Sequence, residues 1–166
     1  MLYALDTCER TPPPRSRPYG RFVIVTTLLA DSQVLLAALR ADDEPDHDAA
    51  AALLRSAAAE RLRLHVLTLT PIEVSNVLVR AWGIAPARAI ELLAGLRAAH
   101  GEPLRIGAED LEAACRLAGE HGITTYDASY AAVAARRGMQ LVSGDRRHLV
   151  SRELAVDPQA AAAGLG

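Results

Sequence analysis

Lysine is absent from this chain, and all 18 basic residues are arginine. That excludes phosphate-loop and kinase chemistry, which need a lysine, and Schiff-base catalysis, which uses one as its nucleophile. Aromatic residues make up only 4% of the chain, so a core must be assembled from Ala, Leu, Val and Ile, within a 51% apolar composition. Two cysteines, Cys8 and Cys115, give no disulfide framework and no zinc spacing. Cys115 lies in a helical pattern and reads as a small buried apolar residue. No apolar run is long enough to span a membrane. The start Met1-Leu2-Tyr3-Ala4-Leu5 is broken by Asp6 and Glu9 and does not read as a signal peptide. The expectation is a cytoplasmic protein without membrane contact. Neither sign of charge dominates, and a net charge of −2 argues against a broad non-specific nucleic-acid surface.

A length of 166 residues suits one domain. Residues 1–21 are rich in Pro and Arg, with Pro12-Pro13-Pro14 among them, and are expected to be a flexible leader or a mis-assigned start. The domain is expected over 22–157, with an Ala/Gly-rich tail fraying over 158–166. Residues 22–30 are β-branched and apolar on both faces, as a buried parallel strand is. Further strands are expected at 64–69, 103–106, 139–143 and 154–156. Helices are expected at 33–40, 46–60, 70–82, 86–99, 108–120 and 124–137. Thr70-Pro71-Ile72-Glu73 reads as a capping box, with Thr70 as the cap, Pro71 at the first helical position and Glu73 three residues after the cap. Strands alternating with helices mean a parallel sheet with helices on both faces.

Four carboxylates fall at strand ends or in the first turn of the next helix: Asp31, Glu73, Asp127 and Asp145. Ligands bind at the carboxyl ends of strands in open α/β sheets. Each acid has an ordinary structural reading. Asp31 caps a helix, Glu73 completes a capping box, Asp127 is a favourable acid at a helix N-terminus, and Asp145 sits in a Gly-Asp turn. Together they would repel one another by several kcal/mol at moderate effective dielectric unless a cation sat among them. Oxygen ligands suit Mg²⁺ or Mn²⁺. With those four acids set aside, the rest of the chain carries +2. Ser32 and Ser143 flank two of the acids and are candidates to orient them. Arg146 and Arg147, followed by His148, are rim candidates for phosphate contact. The five histidines (47, 65, 100, 121 and 148) show no metal-ligand spacing.

Four segments carry a family resemblance. Ala30-Asp31-Ser32-Gln33-Val34-Leu35-Leu36 resembles the opening motif of PIN-domain ribonucleases. Thr70 to Leu78, Tyr126 to Ala134, and Leu141 to Arg147 resemble their second, third and fourth acidic motifs. The acids are separated by 42, 54 and 18 residues, which also fits, and the likeness covers about residues 25–150. Gln33 departs from the Ser, Thr or Asn usual two residues after the first Asp. Leu2 to Thr7 imitates the opening motif, but Pro12 to Pro14 forbid the helix that should follow, so Asp31 is preferred.

The resemblance implies a PIN-like three-layer α/β/α sandwich around a central, mostly parallel sheet of about five strands. Within the family the small size is similar to VapC-type toxins of bacterial toxin–antitoxin pairs. It implies a Mg²⁺- or Mn²⁺-dependent endoribonuclease in which Asp31, Glu73, Asp127 and Asp145 hold the metal and position the attacking water. It also implies an RNA substrate, a homodimer, and a small antitoxin laid across a helical groove near the site. Two alternatives stay open: a PIN-fold RNA-processing nuclease outside a toxin system, and a non-catalytic α/β binding module. An Asp-based phosphoryl enzyme is disfavoured, because the families it would resemble need a lysine.

Overall fold

The computed structural model describes residues 26–41 and 44–165. The expected leader, the first part of the expected strand at 22–30, and the turn residues Asp42 and Asp43 lie outside that range. Three parallel strands form the sheet: β1 (Thr27–Ala30), β2 (Arg63–His65) and β3 (Gln140–Val142), in the order β2-β1-β3. Leu28 pairs with Leu64 and Gln140, and Leu29 with His65 and Leu141.

About five strands were expected; the described residues form three strands with a single parallel bridge beyond each edge, Leu67 to Leu104 and Val142 to Val156. Both extra segments are cut short by proline. Pro103 has no N–H to give to a ladder next to Leu104. Asp157-Pro158 turns the chain into a helix directly after Val156.

Side chains alternate across a strand, and the core follows that rule. Leu28, Ala30, Leu64, Val66 and Val142 pack on one face. Leu29, Leu67 and Leu141 pack on the other. The first face is covered by α1 (Ser32–Leu39), α2 (His47–Ala58), α3 (Thr70–Asn76), α4 (Pro86–His100) and α7 (Pro158–Ala163). The second is covered by α6 (Thr125–Arg136), against which α5 (Ala108–His121) packs. The three-layer expectation is therefore met. No helix of the described residues is long and apolar enough to cross a membrane.

Three local expectations are corrected. Thr70 is not a helix cap. Leu69 occupies the cap position, and Thr70 lies inside α3, fully buried. Its hydroxyl accepts the Leu67 N–H at 3.1 Å, turning back toward β2 instead of forward along the helix. Cys115 is exposed; the buried residue is its neighbour Ala114, and one step along a helix rotates a side chain by about 100°. The segment after Asp157 does not fray over its length. It forms α7, capped by the Asp157 carboxylate, which accepts the Ala160 N–H at 2.8 Å, and it buries Pro158 and Ala161. α3 continues into a wide π turn, Val77–Ala81, in which the Trp82 N–H donates to the Val77 carbonyl at 2.9 Å. Arg40 lies 5.9 Å from the Trp82 ring centre.

If α7 contributes to the fold, Asp157→Ala should lower stability by about 1 kcal/mol in urea denaturation, the usual cost of losing a side-chain cap. A frayed tail would leave the midpoint unchanged.

Candidate metal centre

All four acids lie near the carboxyl ends of β1, β2 and β3, each on a different segment. Asp31 follows β1 immediately and caps α1, accepting the Val34 N–H at 3.0 Å. It is 4% exposed. Ser143, fully buried just after β3, donates its hydroxyl to the Asp31 carboxylate. The same Ser143 oxygen accepts the Asp145 N–H at 2.9 Å. One hydroxyl thus ties the first acid to the backbone of the fourth.

Gly144 presses against this joint. A Cβ there would stand 2.9 Å from the Cβ of Gln33, so the glycine lets Gln33 close over the Asp31 loop. Gln33, the residue that departs from the family pattern, therefore has a packing role beside Asp31.

Glu73 is fixed by a second relay. The Tyr130 hydroxyl donates to Glu73 Oε2 at 2.6 Å. Tyr130 and Thr70 share a hydrogen bond of 2.9 Å. Since the Tyr130 proton goes to Glu73, Thr70 is the donor in that pair, and its own oxygen takes the Leu67 N–H. The order Leu67 N–H, Thr70, Tyr130, Glu73 uses every proton once. The capping-box reading of Glu73 falls with the corrected position of Thr70, and the carboxylate is left facing the site.

Asp127 sits in the first turn of α6, whose cap is Thr124. The Asp127 N–H donates to Thr124 Oγ1 at 3.1 Å, and that hydroxyl donates to Asp127 Oδ2 at 2.7 Å. Asp145 Oδ1 takes the backbone N–H groups of Arg147 (3.0 Å) and His148 (2.8 Å). Asp145 Oδ2 lies 3.0 Å from His148 Nδ1.

Asp127, Asp145 and His148 each present a ligand atom, all within 4.8 Å of one another. Two carboxylates and an imidazole on half-buried residues are a donor set that fits a divalent cation. Asp31 and Glu73 stand outside that group but are coupled to it, Asp31 through Ser143 and Glu73 by its repulsion of Asp31. Sequence reasoning placed His148 only at the rim and missed it as a ligand candidate. The signal was its position three residues after Asp145 in a turn, which aims both side chains the same way.

The electrostatics match a cluster of like charges. Burial pushes Asp31 up to about 6, with Glu73 adding to the rise; the hydrogen bonds from Ser143, Val34 and Gly144 only partly offset it. Burial also raises Asp145, but His148 and the Arg147 N–H outweigh it and hold that carboxyl below its usual range. Tyr126 and Tyr130 are held well above the usual phenol range, first by burial and then by the nearby Glu73 carboxylate, which Tyr130 hydrogen-bonds.

The supporting residues divide. Ser143 is central, whereas Ser32 opens α1 half-buried and joins neither relay. The Arg146 guanidinium is bound to Asp46 at 2.7 Å and approaches Asp157 at 3.9 Å. It clamps the Asp145 loop to α2 and α7 instead of reaching outward. Arg147 is exposed, with its guanidinium unpaired among the described residues. Arg136 and Arg137 sit at the far end of α6 from Asp127, bound to Asp110.

The raised Asp31 sets a pH dependence. Its folded value exceeds that of the unfolded chain, so the fold binds this proton more tightly. Stability from this group is complete below about pH 4 and is lost as pH rises through about 6. In metal-free protein the loss should approach about 3 kcal/mol by pH 8. Asp31→Asn keeps the cap and the Ser143 contact and should flatten that slope. Denaturation midpoints from pH 4 to 8 measure it, and parallel slopes for the two proteins would refute it.

Comparison with known proteins bears on the family and the fold. A family model described as "PIN domain" matches residues 28–152. A protein named Exonuclease VapC9, from Pyrobaculum aerophilum, is 33% identical over 104 residues, covering 58% of this chain and 73% of that protein. A solved structure from the same organism superposes with a TM-score of 0.63 at 28% identity, covering 92% of this chain and 98% of that one. A toxin–antitoxin complex from Klebsiella pneumoniae shares the fold, with a TM-score of 0.56 at 17% identity over 79% of this chain and 97% of the other. With most of its described length inside the family model and its acids at the carboxyl ends of a parallel sheet, the chain belongs to the PIN domain family.

Proposed function

We propose that this protein is a divalent-metal-dependent endoribonuclease and the toxin of a toxin–antitoxin pair, with Mg²⁺ or Mn²⁺ as its cofactor. The observation that carries the reading is the approach of Asp127, Asp145 and His148 to within 4.8 Å beside the Asp31–Ser143 joint. Asp127 and Asp145 would be the principal metal-holding groups, with Asp31 and Glu73 completing the negative site. A cation held there supplies positive charge to the phosphodiester and makes a water acidic enough to attack. Glu73, held by Tyr130, is placed to orient that water and accept its proton. Asp31, whose carboxyl burial raises to about 6, would ionise more readily with positive charge near. Arg147 is the rim residue with a guanidinium free for a phosphate, while Arg146 serves the loop.

The toxin role rests on likeness to the named relative and to the solved toxin–antitoxin complex. A groove of about 340 Å³ between α1, α3 and α4, lined by Leu35, Val74, Leu93 and Leu96, is a candidate seat for an antitoxin segment. Ile72 and Ile90 are exposed on α3 and α4, adding apolar surface on those helices. A homodimer and an RNA substrate belong to the same proposal.

Purified protein should cut RNA with Mg²⁺ or Mn²⁺ and not in EDTA, and Asp127→Asn or Asp145→Asn should abolish cutting. Undiminished cleavage by both variants would refute the assigned roles. A covalently closed RNA circle separates the modes of attack, since an endonuclease opens it and an exonuclease does not. Metal at a hundredfold excess over its dissociation constant should stabilise the fold by about 2.7 kcal/mol.

A further inference from the structure

We infer that His148 is a direct nitrogen ligand in this site and makes it selective for Mn²⁺ over Mg²⁺. The inference rests on the metal-dependent reading above and goes beyond an all-carboxylate site. Asp145 does not need the imidazole for its orientation, because the backbone N–H groups of Arg147 and His148 already hold its Oδ1 at 3.0 and 2.8 Å. The ring instead faces the other oxygen, with Nδ1 at 3.0 Å from Oδ2. Two donors at right angles on an octahedral ion, with bonds of about 2.1 Å, stand about 3.0 Å apart. The spacing now spanned by a hydrogen bond is therefore also the spacing a cation needs. A cation bound there would take the place of that hydrogen bond, with the ring coordinating through Nδ1 as the tautomer whose hydrogen is on Nε2, the proton shifting from one ring nitrogen to the other by way of solvent.

Asp127 approaches from α6, on a separate element, and its Oδ2 is occupied by Thr124 while Oδ1 accepts no hydrogen bond from the described residues. The His148 side chain is 41% exposed and that of Asp145 15%, so the imidazole lies on the solvent side, where a cation would enter. Mg²⁺ prefers oxygen ligands and dehydrates reluctantly, whereas Mn²⁺, though it also takes carboxylates, is a transition-metal ion that accepts an imidazole nitrogen more readily than Mg²⁺ does. Replacing one oxygen donor by nitrogen therefore favours Mn²⁺.

The test is pulsed electron paramagnetic resonance on Mn²⁺-loaded full-length protein, with calorimetric titration of Mn²⁺ and Mg²⁺ into the metal-free form. Wild type should show nitrogen-14 modulation from a bound imidazole, and His148→Phe should lose it. Mn²⁺ affinity should fall about tenfold or more in that variant, with Mg²⁺ affinity changing less than about threefold. His148→Asn is the second variant. It keeps an N–H donor near Asp145 and should lose the nitrogen signal equally. Mn²⁺ binding without nitrogen modulation in wild type, or equal weakening of both metals, would overturn the ligand role and leave the metal site standing. A wild type that binds neither metal would overturn the metal-dependent reading itself, and this inference with it.

Discussion

The site depends on one buried hydroxyl. Ser143 accepts the Asp145 N–H and donates to the Asp31 carboxylate, joining the ends of β1 and β3 where the chain leaves the sheet. Without that bridge, the Asp31 carboxylate would keep only backbone N–H donors in a setting where it is 4% exposed. A buried carboxylate short of partners is costly, so the hydroxyl both lowers that cost and sets the spacing of the two loops. Gly144 completes the joint by letting Gln33 lie against it. Arg146 then holds the outer side of the loop to Asp46.

A parallel arrangement recurs on the other side of the site. Thr70 accepts a backbone N–H and donates to the Tyr130 hydroxyl, which in turn donates to Glu73. In each relay a small hydroxyl satisfies the main chain at a strand end and delivers a directed donor toward an acid. That leaves the acids oriented before any cation arrives, which is the condition for binding without large rearrangement.

How much of this was legible in the sequence depends on the range of the forces involved. Buried strands such as Leu28-Leu29-Ala30 and Leu141-Val142 declare themselves by unbroken apolar runs, because both of their faces are covered. The acids were found by their places at strand ends. Thr70 and Glu73 misled, because a local capping signal matched while the side chains were claimed by Leu67 and Tyr130, the latter 57 residues from Glu73. His148 was placed at the rim but overlooked as a ligand, because its partners are one neighbour in a turn and one residue on α6, a pattern without a fixed sequence spacing. Cys115 was misjudged by a single helical step. α7 was hidden by its Ala-rich composition, which says little about whether a helix has something to pack against.

The Tyr130 hydroxyl has a wider consequence. α3 belongs to the helical layer on one face of the sheet and α6 to the layer on the other. Beyond the last strand residue no sheet separates them, and there Thr70, Tyr130 and Glu73 join the two layers by hydrogen bonds. A greasy seam at that edge would seal the molecule shut. A hydrogen-bonded one keeps the two layers in register while holding a carboxylate, Glu73, at their junction.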